Sequence, residues 1–180
     1  MKTFETERLI LRKWTVDDAS DFYEINSNPN ITKPLGWGTH MDKSKSLKFL
    51  NVLIKKNTEW AIVRKEDNKV IGCMGYNYDS MRSASVAHRN IIFSLNESFW
   101  GHGFCTEAAK GFMKYLFEDE RIDILCAWHS SNNLRSKKVI ERCDFKHDGT
   151  IRMFKKKREE VIDKVIYSMT KDEYKEIYQT

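Results

Sequence analysis

Phe99-Trp100-Gly101-His102-Gly103-Phe104-Cys105-Thr106-Glu107-Ala108-Ala109 is the stretch on which the reading of this chain turns. The apolar run Asn90-Ile91-Ile92-Phe93-Ser94-Leu95 precedes it and predicts a buried strand. Behind it Ala108, Ala109, Phe112, Met113, Leu116 and Phe117 recur at helical spacing. The stretch therefore predicts a strand-to-helix turn with two glycines in it. Gly101 and Gly103 remove the side chains that would hold a ligand off the main chain. The amides near Gly103, Phe104, Cys105 and Thr106 would then be donors at a helix N-terminus, a setting suited to pyrophosphate. The plainer reading of the same residues is a tight connection whose glycines only let the chain reverse. There is no Gly-Lys-Ser/Thr ending, which excludes a nucleoside-triphosphate P-loop. A third glycine at dinucleotide spacing is missing, as is an acidic residue closing a second strand about 20 residues on, which argues against a Rossmann site.

The chain has 180 residues, enough for one domain with a good core, so residues 1–180 are expected to form a single domain. A hydrophobic content of 41% beside 32% charged residues fits a soluble globular protein. No apolar run approaches a membrane span and the start carries no signal-peptide core, so no membrane partner is expected. Cys73, Cys105, Cys126 and Cys143 are scattered inside apolar segments without Cys-x-x-Cys spacing. They read as reduced and mostly buried, which favours a cytoplasmic enzyme with no metal site. The net charge of +5 is a small excess that would help attract an anionic ligand. The run Lys155-Lys156-Lys157-Arg158 reads as a solvated hairpin tip, and a nucleic-acid partner is not expected.

Leu9-Ile10-Leu11 predicts a first strand. Thr15 or Asp17 can cap a helix with Ala19, Phe22, Tyr23 and Ile25 on its apolar face. Asn28-Pro29-Asn30 breaks that helix, and a loop is expected from Ile31 to Met41. Asp42 caps a second helix running to about Lys56. Trp60–Val63 and Val70–Tyr76 form a hairpin, with a third strand over about Ser85 to Leu95. After the glycine turn and its helix come a strand over Ile122–Trp128 and a helix over Asn133–Arg142. Two long strands, Phe145–Phe154 and Glu160–Met169, follow, and a short helix covers Lys171–Tyr178. This order predicts an α+β fold with a mixed sheet of six or seven strands and helices on both faces. The sheet should splay at its centre, where the strand before the glycine turn stops pairing.

The segment FWGHGFCTEAA resembles the acetyl-CoA-binding motif of the GCN5-related N-acetyltransferase (GNAT) superfamily, Arg/Gln-x-x-Gly-x-Gly/Ala. Trp100 takes its first place, Gly103 the fourth and Cys105 the last. The form Trp-Gly-x-Gly and the opening Glu5-Thr6-Glu7-Arg8-Leu9-Ile10-Leu11-Arg12 are similar to the branch that acetylates ribosomal-protein N-termini (RimJ/RimL-like) and to its many relatives of other specificity. The resemblance implies acetyl-CoA as cosubstrate. Its pyrophosphate would lie on the backbone of His102, Gly103, Phe104, Cys105 and Thr106. Its pantetheine arm would bond like an added peptide to Phe93, Ser94 and Leu95. It further implies acetyl transfer to a primary amine, on a protein N-terminus or a small molecule, by direct attack in a ternary complex. Cys105 is then a poor acyl carrier. The family also offers a homodimer through the C-terminal strands.

Asn132-Asn133-Leu134-Arg135-Ser136, continuing to Phe145, resembles the second half of the family signature, Asn-x-x-Ser-x-x-x-x-Glu-Lys-x-Gly-Phe. By that likeness Asn133 bonds a pantetheine amide and Ser136 assists the leaving thiolate. Alternatively, Asn132 or Asn133 caps the helix. Three departures stand out. Asp144 replaces a glycine, although aspartate tolerates a left-handed backbone better than most residues. Ile140 replaces a tyrosine acid. Asn90 stands where many relatives carry a glutamate that helps deprotonate the amine, and asparagine cannot act as a base. His88, Glu97 and His40 are the candidate replacements, beside a water chain. Trp37 and His40, in the loop Ile31–Met41, are candidate substrate-binding residues. The missing glutamate and tyrosine leave two other functions open: a non-catalytic acyl-CoA-binding or sensor domain, or an acyltransferase using a larger acyl group.

Overall fold

The computed structural model describes residues 1–36, 38–39, 42–78, 82–157 and 160–179, and of 155–157 and 160 the backbone alone. The chain resolves into two compact units, Met1–Tyr76 with Ile92–Gly111, and Asn77–Ile91 with Phe112–Thr180. Among the described residues there are eight strands and six α-helices.

In the first unit, β1 (Phe4–Glu5) turns back antiparallel onto β2 (Leu9–Lys13), placing Phe4 opposite Leu11. β2 pairs with β3 (Glu59–Arg64), and β3 with β4 (Val70–Asn77), both antiparallel. Between β2 and β3 run α1 (Ala19–Ser27), α2 (Pro29–Leu35) and α3 (Lys43–Lys56). Their apolar residues Phe22, Ile25, Ile31 and Leu50 join Trp14 and pack on Ala61, Val63, Val70 and Cys73 of the sheet. Asp42 caps α3 by accepting the Ser44 N–H at 2.7 Å, and Asn57 ends it with φ +55. The capping residue at the first helical turn is Asp18 together with Thr15: the Asp18 carboxylate takes the Thr15 N–H and hydroxyl, and Arg12 holds it bidentately.

One expectation is corrected here. Half of the loop expected from Ile31 is helix, because the residues that stop α1 also start α2. Asn28 accepts the Asn30 N–H at 2.9 Å, and Pro29 takes the first helical position, where its missing N–H is harmless. Gly36, at φ +73, then ends α2.

β5 (His88–Leu95) passes from the second unit into the first, and α4 (Phe104–Lys114) passes back. Gly111 lets α4 come close to the N-terminal segment: a Cβ there would meet Thr6 Cγ2 at 2.7 Å. Behind α4 the helix widens into one π-turn over Tyr115–Asp119. The second unit continues with β6 (Ile124–Ser130), α5 (Leu134–Arg142), β7 (Lys146–Lys157), β8 (Glu160–Thr170) and α6 (Lys171–Tyr178). The parallel β5–β6 ladder has three pairs, from His88–Ile124 to Asn90–Cys126, and ends there while β5 runs on to Leu95. β6 pairs with β8, and β8 with β7, both antiparallel. Asp144 does adopt a left-handed backbone, φ +61, and Tyr178 donates to its carboxylate at 2.6 Å.

The hydrogen-bonded order is β1-β2-β3-β4-β5-β6-β8-β7, a mixed sheet as expected, with eight strands instead of six or seven. The additional one is β1, whose two residues are too few to produce an alternating pattern. No helix among the described residues is long and apolar enough to cross a membrane.

Glu59, 7% exposed at the start of β3, is a carboxyl in an apolar setting. Burial pushes it up to about 7, while the Cys73 thiol holds it down in part. In the unfolded chain it ionises near the ordinary glutamate value. Below that value both states are protonated and Glu59 costs nothing. As pH rises toward 7 the unfolded state loses its proton first, so stability falls, and it levels off above. Replacing Glu59 with Gln should therefore raise the melting temperature more at pH 8 than at pH 4. The full difference is on the order of 3 kcal/mol. Melting curves at both pH values check this; an equal shift at both would contradict it.

Candidate active site

The glycine turn is built by side chains that its neighbours supply. Asn96 ends β5 and accepts the Ser98 N–H at 3.2 Å, starting a 3-10 turn over Glu97–Phe99. Trp100 then folds back, its indole N–H donating to the Leu95 carbonyl at 2.8 Å. Gly101 and Gly103 both lie in the left-handed region, at φ +85 and +80. An L side chain costs about 1–2 kcal/mol there, which explains both glycines. The first intrahelical bond of α4 runs from the Glu107 N–H to the Gly103 carbonyl at 3.0 Å. The amides of Phe104, Cys105 and Thr106 thus lie ahead of the ladder, at the positive end of the helix. Among the described residues the space outside the turn is open: a Cβ on Gly101 would meet nothing of them within 4 Å, and one on Gly103 only Arg8 Nη2 at 3.5 Å.

Glu107, in the first turn of α4, is held by the start of the chain. Its carboxylate accepts the Thr6 hydroxyl, the Arg8 backbone N–H at 2.8 Å and Arg8 Nε at 2.7 Å. Burial pushes this carboxyl up, but the three donors outweigh it and leave it below the usual glutamate value. Arg8 also donates through Nη1 to the His102 carbonyl at 3.1 Å and lies over the Phe104 ring at 4.4 Å. His102 itself is exposed and turns its ring toward Phe104.

The edge of β5 follows from its register. The Asn96 N–H donates to the Ile71 carbonyl of β4 at 2.7 Å. Strand alternation then turns Ser94 to β4 as well, and its hydroxyl meets the Cys73 thiol at 3.1 Å. Phe93 and Leu95, of opposite parity, direct their backbone groups away from β4. Of these, the Leu95 carbonyl is committed to Trp100, while the Leu95 N–H and both backbone groups of Phe93 face that outer edge. Ser94 shares the strand with them but faces its other neighbour.

The remaining candidates are distributed over both units. Glu97 accepts the side-chain amides of Asn28 at 2.7 Å and Asn30 at 3.1 Å, bracing the α1–α2 corner. His88 is buried, with Nδ1 2.7 Å from the Val86 carbonyl, to which it donates. Asn90 donates to Asn77 at 3.0 Å. Asn133 caps α5, its Oδ1 accepting the Ser136 N–H at 3.2 Å, which leaves Nδ2 to donate elsewhere. Ser136 is half-buried in the same first turn. Ile140 is fully buried and its place holds no acid. Trp37 and His40 lie outside the described residues.

Sequence reasoning missed Arg8 as part of this site. The opening ETERLILR and the stretch CTEAA were each noticed for their likeness to one branch. That both carry complementary charges, Arg8 and Glu107, was the available signal that they meet.

A family model for the acetyltransferase (GNAT) domain matches residues 8–146. An uncharacterized N-acetyltransferase of Bacillus licheniformis, p20, is 28% identical over 179 residues, covering 97% of this chain and 99% of the relative. A GNAT-family acetyltransferase from Bacillus anthracis shares the fold with a TM-score of 0.85 at 19% identity, over 95% of this chain and 99% of that one. The microcin C7 self-immunity acetyltransferase MccE, solved with acetyl-CoA and AMP, matches with a TM-score of 0.77 at 20% identity, over 91% of this chain and 93% of that one. The structural likenesses carry the fold, and the family model, which spans most of the chain, carries membership: this protein belongs to the GNAT family and is an acetyltransferase that uses acetyl-CoA.

Proposed function

We propose that the protein moves the acetyl group of acetyl-CoA to a primary amine, on a protein N-terminus or a small molecule, by direct attack in a ternary complex. The observation that carries this reading is the turn Gly101–Thr106, whose left-handed glycines open the N-terminus of α4 to an anion. The residues present fit a pyrophosphate: a bare backbone surface, three amides ahead of the helical ladder and a positive helix end. Bound there, acetyl-CoA supplies an acetyl group activated as a thioester.

The chain's own residues would do the following. His102, Gly103, Phe104, Cys105 and Thr106 hold the phosphates through main-chain N–H groups. Phe93 and the Leu95 N–H accept the pantetheine arm by strand addition. These amides also orient and polarise the reacting carbonyl. Asn133 offers its Nδ2 hydrogens to an amide carbonyl of the arm, and Ser136 donates toward the leaving thiolate. With Asn90 unable to take a proton, His88 Nε2 and the Glu97 carboxylate are the acceptors proposed for the amine. Glu97 is a carboxylate already oriented by two asparagines. Cys105 lies in the helix start itself and serves through its amide. None of the four cysteines is in a disulfide, in keeping with the reducing cytoplasm as its location.

Release of free thiol from acetyl-CoA, measured over a panel of N-terminal peptides, polyamines and aminoglycosides, tests the reaction. Amine-dependent release supports transfer; binding of acetyl-CoA without release would favour a sensor. Cys105→Ala should keep most of its activity, whereas a trapped acetyl-thioester on Cys105 in the wild type would contradict direct attack. Gly103→Val should bind acetyl-CoA at least about tenfold more weakly, because it adds both bulk and backbone strain at φ +80. His102→Ala keeps its amide and should bind within about threefold of wild type. Titration calorimetry distinguishes the two; the reverse order would mean that a side chain holds the phosphates.

A further inference from the structure

The family motif begins with arginine or glutamine, and here Trp100 holds that place with its indole N–H committed to Leu95. Phe99–Thr106 contains no lysine or arginine at all. A doubly charged pyrophosphate would therefore meet amides and a helix end but no cation from the turn itself. It would also meet a carboxylate, Glu107, one turn inside the helix. Among the described residues, the guanidinium groups of Arg8 and Arg64 lie against rings of this stretch, Phe104 and Phe99. Arg64, over the Phe99 ring at 4.9 Å, is neutralised by Asp67 at 2.6 Å and Glu66 at 3.0 Å. Arg8 is different. Its Nε is anchored on Glu107 and its Nη1 on the His102 carbonyl, its face rests on Phe104, and its Nη2 has no hydrogen-bond partner among the described residues. That nitrogen lies 3.5 Å from the point a Gly103 Cβ would occupy, on the open side of the turn. Two anchors and an aromatic face hold the planar group in place, so little side-chain freedom is left to lose when a ligand arrives.

We propose that Arg8 binds the pyrophosphate of the cosubstrate through Nη2, supplying from the first strand the cation that the turn lacks. The proposal rests on the cofactor site described above. It makes Arg8 a binding residue for the phosphates, with Glu107 as the group that aims it. The absence of any side chain at Gly103 then has a second purpose, because a Cβ there would stand between Nη2 and the phosphate.

The test is titration calorimetry of the full-length protein with CoA and with dephospho-CoA, which keeps the pyrophosphate and lacks the 3′-phosphate. Arg8→Gln should weaken both ligands alike, by about ten- to a hundredfold. Thr6→Val is the control. It removes another donor from Glu107, keeps the methyl that packs on Gly111, and does not touch the turn. It should lower the melting temperature while leaving both affinities within about threefold of wild type. Three results would overturn the proposal: unchanged binding by Arg8→Gln, a loss confined to CoA, which would assign Arg8 to the 3′-phosphate, or an equal loss in Thr6→Val, which would make the clamp alone responsible. Failure of the wild type to bind either ligand would instead overturn the cofactor site on which the proposal rests.

Discussion

The carboxylate of Glu107 is the constraint on which the site depends. It gathers the Thr6 hydroxyl, the Arg8 amide and the Arg8 guanidinium, and so ties the first strand to the helix that follows the glycine turn. The residues joined are about a hundred positions apart, so the contact forms only when the sheet and the helix have docked. Glu107 is 17% exposed and Arg8 44%, so the ion pair itself is partly screened. The hydrogen bonds to the carboxylate, at about 1.5–3 kcal/mol for a charged partner, are the larger contribution. Their effect is directional. With Glu107 so held, the first turn of α4 is tied to the segment from Thr6 to Arg8.

The other side of the turn is fixed by Trp100. Its indole N–H closes on the Leu95 carbonyl, a backbone group that strand alternation leaves pointing away from β4. Between these two anchors the chain reverses through two left-handed residues, which is why both are glycine. The recognition surface that results is almost wholly main chain. A backbone surface is rigid, has no rotamers to freeze and carries no charge that solvent must be stripped from. It also explains how Trp100 can replace a motif arginine without loss of the turn: the tryptophan builds the shape.

Much of this was legible in the sequence, and the reasons differ from place to place. The turn was legible because left-handed backbone selects glycine and a buried strand selects an apolar run, so Leu95 to Ala109 carries both signals. Asp42 and Asn133 were legible as caps, since capping is local. Asp144 was legible as a tolerable replacement for glycine. By contrast, α2 was hidden because Asn28-Pro29 serves equally to stop one helix and to start the next. β1 was hidden because two residues cannot show a period. The Arg8–Glu107 contact was hidden because nothing local distinguishes a paired arginine from a solvated one. Ser94 shows the remaining limit: the direction of its backbone groups follows from the register of β5 on β4, set by the Asn96 N–H on the Ile71 carbonyl, and no local residue pattern carries that register.

The central claim is that the amides at the start of α4 hold the pyrophosphate, with Arg8 the side chain proposed to join them. Amide chemical shifts of isotope-labelled protein, followed during titration with CoA, test it most directly. The account predicts large shifts at Gly103, Phe104, Cys105 and Thr106, all following one saturation curve, with smaller ones at the Leu95 amide. Saturable binding that leaves these four amides unmoved would contradict it.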